Sequence, residues 1–250
     1  MSLRIDHFGL TDTGRVRAGN EDAWAADEAQ GLYIVADGMG GHNAGEIASQ
    51  MVVSSLPKLM QKRGGSVMPR TSAAIARRLR SAVSRLSRDV FEQASAEPHL
   101  SGMGATVVAV MIHAGEAIVV HMGDSRVYLL RDGRLRLLTR DHSVIQILLD
   151  SGHITPEQAQ FHPDRNRITA SIGMPGDPTP DSRRVALRTG DRVLLCTDGL
   201  ANMVDDLNIC RIMGESATPE ATCRNLIDAA NAAGGDDNIT AVVLEVHEEK

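Results

Sequence analysis

Four apolar, strand-like runs in this chain of 250 residues each meet an aspartate with a glycine, serine or asparagine beside it. Three of them end on it: Tyr33 to Asp37-Gly38, His121 through Gly123 to Asp124-Ser125, and Leu194 to Asp198-Gly199. The fourth, Gly235-Asp236-Asp237-Asn238, opens the run Ile239 to Val243. Strands hold their ends rigidly, and small neighbours let backbone carbonyls and water approach, so carboxylates set this way provide the oxygen ligands a hard cation requires. Any one of the four alone reads as turn chemistry, because Asp-Gly is a common turn pair. Together they demand a fold that gathers strand ends from distant parts of the chain.

The bulk properties leave room for such a site and remove other classes. No Pro- or Ser-rich stretch with a shift of charge divides the chain, and its length suffices for one sizeable core, so a single domain over residues 1–250 is expected. A net charge of -6 and 2% aromatic residues argue against broad binding of nucleic acid or anionic membranes. Cys196, Cys210 and Cys223 are odd in number and lack CxxC spacing, and no signal segment opens the sequence, which points to the reducing cytoplasm. No stretch reaches the roughly 18 apolar residues of a membrane helix. No heptad run calls for an obligate assembly, and a monomer is expected.

Periodicity predicts helices over Glu46 to Met60 and from Thr71 onward, where Ile75, Leu79, Val83, Leu86 and Val90 form one apolar stripe. Arg77, Arg78, Arg80, Arg85 and Arg88 lie on or beside the other face, where solvation is the plain reading and docking of phosphate or a partner the alternative. Short β-branched runs follow at Thr106 to His113, Ala117 to Met122, Val127 to Arg131 and Leu135 to Thr139, with a hairpin turn at Asp132-Gly133. Their close spacing predicts antiparallel pairing of consecutive strands. Further strands are expected at Val193 to Thr197 and Ile239 to Val246, and helices at Ser143 to Ser151, Asp206 to Met213 and Pro219 to Ala233. Thr155-Pro156-Glu157-Gln158 reads as a capping box. A long irregular segment follows it to about Pro180. Runs of strands and helices without strict alternation give an α+β class.

Oxygen-only ligands suit Mg²⁺ or Mn²⁺, whereas zinc would call for paired cysteines. Asp37, Asp198 and Asp237 around two divalent ions would leave a positive surplus for a phosphate dianion. Two ions roughly 3.5 to 4 Å apart activate water and stabilise in-line displacement at phosphorus. The glycine-rich Gly38 to Gly45 lacks the Lys and Ser/Thr of a Walker loop, and no Asp-x-Asp pair follows a strand to supply a covalent nucleophile.

Asn20-Glu21-Asp22, Val35-Ala-Asp37-Gly38-Met-Gly-Gly41, Gly102-Met-Gly104-Ala-Thr106, Gly123-Asp124-Ser125-Arg126, Thr197-Asp198-Gly199-Leu200 and Gly235-Asp-Asp237-Asn238-Ile-Thr240 occur in this order along nearly the whole chain. The series resembles that of metal-dependent serine/threonine protein phosphatases of the 2C type, and Asp-Gly-Met-Gly-Gly-His resembles their compact bacterial branch. The resemblance implies a four-layer α-β-β-α sandwich, two antiparallel sheets flanked by helices. It implies two tightly bound Mn²⁺ or Mg²⁺ ions and a third, weaker one. Asp37 would bridge the two, the Gly38 carbonyl would bind one, Asp198 and Asp237 would hold the other, and Asp124 would serve the third together with Asp198. Glu21 would act through water at the ions, with Asp22 supporting it from behind.

Arg17, four residues before Glu21, falls where such phosphatases place a phosphate-binding arginine, and a guanidinium fork suits phosphate oxygens. Arg15, the nearby competitor, is rejected in favour of Arg17. Met39 stands where eukaryotic relatives have a histidine that protonates the leaving group, so a water on the metals or the loop residue His42 is left as general acid. Residues 154–180 match in position the flap of bacterial members and are read as a substrate gate. The implied activity is hydrolysis of phosphoserine and phosphothreonine on proteins by metal-activated water, opposing a bacterial serine/threonine kinase. The alternative is a catalytically weak phosphoprotein-binding or scaffold member, which would have lost ligands that stand in place here.

Overall fold

The structure, a computed structural model, describes residues 3–41, 44–61, 71–159 and 161–249. Strand β3 (Leu32–Met39) shows how the layers arise. Its alternate residues Tyr33 and Val35 point into one apolar cluster, while Leu32, Ile34 and Ala36 point into another. Both faces are therefore covered, which is why the strand reads as a continuous apolar run rather than an alternating one.

β3 belongs to a sheet ordered β2 (Asp22–Asp27), β3, β5 (Val107–His113), β6 (Glu116–Met122), β9 (Asp181–Ala186), with the short β4 (Gly104–Ala105) also paired to β3. The second sheet runs β1 (Leu3–Asp12), β11 (Ile239–Glu248), β10 (Arg192–Cys196), β7 (Arg126–Arg131), β8 (Arg134–Leu137). Every pairing in both is antiparallel. Tyr33, Val35, Val108, Val110 and Val119 of the first sheet meet Val127, Leu129, Val193, Leu195, Val242 and Leu244 of the second in a central core. The outer face of the first sheet is covered by α1 (Ala44–Met60) and α2 (Ser72–Ala96), and that of the second by α6 (Asp206–Glu215) and α7 (Pro219–Ala232). The result is the expected α-β-β-α sandwich.

The expected pairing of consecutive strands fails at one place. β5 and β6 pair, as do β7 and β8, but β6 and β7 lie in different sheets. The three residues between them, Gly123-Asp124-Ser125, carry the chain from one sheet to the other, and Gly123 takes φ +114° to do so. Four strands were not foreseen in the sequence: β1, β2, β9 and the two-residue β4. In β9 only Val185 is buried, so a polar edge strand left no apolar pattern to read.

The capping box forms, with the Thr155 amide donating to Gln158 Oε1 at 2.9 Å and the Gln158 amide to Thr155 Oγ1 at 3.4 Å, and it opens the short helix α4 (Pro156–Ala159). The arginines of α2 reach partners rather than only solvent. Arg80 donates to the Pro180 carbonyl at 2.9 Å, Arg88 pairs with Asp177 at 3.2 Å, and Arg78 donates to the Met60 and Gln61 carbonyls. Two of these contacts fasten the far end of segment 154–180 to the helix.

Candidate active site

The two sheets end side by side at one edge of the sandwich, and there the sequence-distant acidic residues meet. Asp22 opens β2 directly opposite Asp37 on β3. Asp124 sits on the crossing between sheets, Asp198 begins the helical turn α5 (Asp198–Ala201) after β10, and Asp237 precedes β11. Asp37 and Asp198 lie close enough for each to perturb the other's carboxyl.

Two glycines permit this convergence. A Cβ on Gly38 would collide with the Gly45 carbonyl and lie 2.6 Å from that of Glu21. On Gly199 it would collide with the Asn238 carbonyl and lie 3.4 Å from the Asp237 side chain. Both are close approaches of backbone to backbone around the acidic cluster, which only glycine allows.

Buried hydroxyls and one amide hold the frame. Asp22 Oδ2 accepts from Thr197 Oγ1 at 2.9 Å and Thr240 Oγ1 at 2.7 Å. The Thr106 hydroxyl accepts from the Asp37 amide at 3.1 Å and bonds Ser125 at 2.7 Å. Asn238 Oδ1 accepts the Glu21 amide at 2.8 Å, while its Nδ2 donates to the Thr13 and Gly19 carbonyls. These supporting residues lie inside the recognised motifs, yet sequence reasoning gave them no role, because a threonine in an apolar strand looks the same whether or not it bonds a carboxylate.

The charge balance is strongly unfavourable for protein alone. Burial raises the Asp37 carboxyl well above its usual range, and Asp22, Asp198, Asp124 and Asp237 push it further. Asp22 rises to about 7, through burial against the pull of its two threonines, with Asp198 and Asp237 adding to the rise. Asp124 also rises to about 7, through burial, Asp198 and Asp141. Asp198 is raised by burial and then by Asp237. Glu21 is raised by burial against the attraction of Arg17. Asp22 Oδ1 is buried without a hydrogen-bond partner. Crowded carboxylates of this kind fit divalent cations, which supply the positive charge that buried anions need.

Arg17 reaches the same place. Its Nη2 lies 2.7 Å from Asp237 Oδ2, and Glu21 and Asp37 also attract it. The Glu21 carboxyl rests against the first turn of α1, where a Cβ on Gly45 would approach it to 2.7 Å. The structure thus gathers Arg17, Glu21, Asp22, Asp37, Gly38, Asp124, Asp198 and Asp237, whereas His42 lies outside the described residues. Met39 faces Gly104 across the ladder and lines an apolar cleft of about 380 Å³ together with Phe91, Met103, Ile172 and Met174.

The protein phosphatase 2C family profile matches residues 14–222, most of the chain. The chain belongs to the protein phosphatase 2C family. It is 37% identical over 238 residues to the serine/threonine phosphatase stp of Listeria monocytogenes, covering 94% of this chain and 93% of that one. Among solved structures it is similar to the S. agalactiae serine/threonine phosphatase, with TM-score 0.90, 34% identity and coverage of 98% and 100%. It is also similar to the catalytic domain of the serine/threonine protein phosphatase PstP in complex with two manganese ions, with TM-score 0.82, 37% identity and coverage of 99% and 100%. Family membership makes the chain a phosphatase of the 2C type.

Proposed function

We propose that this 2C-type phosphatase hydrolyses phosphoserine and phosphothreonine on proteins at a binuclear Mn²⁺ or Mg²⁺ site, with a third, weaker ion beside it, and opposes a serine/threonine kinase in the cytoplasm. The observation that carries the reading is the convergence of Asp37, Asp124, Asp198 and Asp237 on one edge of the sandwich, where burial and mutual repulsion raise the carboxyls of Asp37, Asp124 and Asp198 despite the nearby Arg17 and Arg126. Asp37, the Gly38 carbonyl, Asp198 and Asp237 would hold two ions, and Asp124 with Asp198 the third. Such ions supply Lewis acidity that polarises water and a phosphoryl oxygen.

The chain's own groups do the rest. Arg17, half-exposed beside Asp237, binds the phosphate, and its planar fork orients two of the phosphate oxygens for in-line attack. Glu21 directs water at the cluster, and Asp22 props β2 behind it through Thr197 and Thr240. Met39 carries no proton, so the leaving alkoxide takes one from a water at the site or from His42. The flap, residues 154–180, gates the phosphopeptide within one catalytic domain. Three unpaired cysteines support the reducing compartment, and one copy of the chain supplies all the proposed site residues, in keeping with a monomer.

The test is turnover of p-nitrophenyl phosphate and of a phosphothreonine peptide with Mn²⁺, with and without EDTA, for the wild type and Asp198→Ala. EDTA and Asp198→Ala should each reduce kcat/KM by about three orders of magnitude or more, as loss of several kcal/mol of charge stabilisation implies. Equal turnover in all samples would remove the metal mechanism.

A further inference from the structure

A second cluster of metal-ligating side chains lies away from the aspartates, at the base of the flap. His121 on β6 stands directly opposite Asp181 on β9, so the two side chains share a face of the sheet. His142 stacks on His121, with ring centroids 4.8 Å apart and 24° between the planes. One donor atom from each of His121, His142 and Asp181 lies within 4.8 Å of the others. The pair His142 Nε2 and Asp181 Oδ2 is already at 3.3 Å, about the separation of two ligands on one tetrahedral ion with bonds near 2.0 Å.

The surroundings fit a ligand role. His121 Nε2 lies 2.9 Å from the Arg140 carbonyl and 3.4 Å from the Arg140 amide; the shorter contact assigns the proton to Nε2, the tautomer in which a ligating imidazole donates its second N–H to backbone and keeps the Nδ1 lone pair for the metal. The adjacent charges are spoken for, since Arg140 pairs with Asp150 and Asp141 with Arg126. Two imidazoles and one carboxylate suit Zn²⁺, Ni²⁺ or Cu²⁺, in contrast to the all-oxygen aspartate cluster.

We propose that His121, His142 and Asp181 form a site for a divalent transition metal of the zinc class that clamps to β6 the two ends of the excursion between β8 and β9 that carries the flap. His142 follows the last strand before the excursion, β8, and Asp181 opens the next one, β9, so an ion bound to both spans the excursion at its base. Binding turns the His142 ring out of its stack and draws donor atoms that now lie within 4.8 Å of one another towards the roughly 3.3 Å spacing of one coordination shell, pulling the ends of the excursion together. It also replaces the Nε2 proton of His142 and moves that proton to Nδ1, ending the 3.3 Å bond Nδ1 accepts from the Gly123 amide. Gly123 adjoins Asp124, so occupancy is felt at the edge of the active site.

The experiment is calorimetric titration of Zn²⁺ into the chelator-stripped full chain held in excess Mg²⁺, which favours the aspartates and leaves imidazoles unoccupied. Wild type and Asp198→Asn should each bind one Zn²⁺, while His142→Gln and Asp181→Asn should bind it about tenfold more weakly or worse. Co²⁺ in place of Zn²⁺ should give the strong visible absorption of a four-coordinate ion in the first pair only, and Zn²⁺ should slow proteolysis within the flap. Asp181 is exposed and its replacement spares the core, so the test does not depend on the fate of the histidine variant. Zn²⁺ binding unchanged by His142→Gln and Asp181→Asn, or abolished by Asp198→Asn, overturns the proposal.

Discussion

At the scale of single residues, Arg15 and Arg17 are chemically alike, and composition cannot choose between them. The structure separates them by what each does. The Arg15 amide donates to the Gly235 carbonyl at 2.8 Å and its side chain crosses Gly235, so it braces the loop before β11. Arg17 sends its guanidinium to the acidic cluster itself. Arg17→Ala should therefore raise KM for phosphopeptides by about tenfold or more, the loss of a charge-assisted hydrogen bond, and lower kcat less. Steady-state kinetics at saturating Mn²⁺ checks this, and an unchanged KM removes Arg17 from phosphate binding. The aspartates were legible in the sequence because glycine beside an acid at the end of an apolar run is a visible pattern. Thr197, Thr240 and Asn238 were not, because their value lies in partners far along the chain that spacing does not reveal.

At the scale of elements, the flap connects to the site through backbone. Gly38 pairs with Ala105 on β4, and Ala105 in turn exchanges bonds with Ile172, its amide donating at 3.2 Å and accepting through its carbonyl at 2.8 Å. The returning flap is thus two ladder steps from Gly38. The sequence showed the excursion, because prolines and glycines end its periodicity, but not this seam, because β4 is two residues long and carries no pattern. Ile172 is fully buried under α2, so Ile172→Ala leaves a cavity that costs about 2–5 kcal/mol, part of it spent on undocking the seam. The variant should show faster proteolytic cleavage between β8 and β9 and a larger fall in kcat/KM for a phosphopeptide than for p-nitrophenyl phosphate. Equal losses on both substrates would place the flap outside substrate handling.

At the scale of the whole molecule, the sandwich was legible as a class, but the crossing of Gly123-Asp124-Ser125 between sheets was not, since three residues between two strands look like a hairpin. That crossing, with β2 and β10 reaching the same edge, confines acidic residues in a buried space, and the confinement has a thermodynamic signature. Asp22 has its pKa raised to about 7 in the fold, chiefly by burial, whereas an unfolded aspartate titrates near 3.9. Between those values the folded chain holds a proton that the unfolded chain has released. The stabilisation from protonated Asp22 is therefore complete below about pH 4 and is lost as the pH rises towards 7. Asp22→Asn removes this titration while keeping an oxygen that can accept from Thr197 and Thr240. In EDTA, the melting temperature of the wild type relative to Asp22→Asn should fall between pH 4 and pH 7, on the order of several degrees. Saturating Mn²⁺ should flatten the trend, because cations in the cluster offset the neighbouring Asp198 and Asp237 charges that help hold the proton on Asp22. A difference that stays constant across this range in EDTA would mean that Asp22 is ionised in the folded chain throughout, and that its two threonines outweigh its burial.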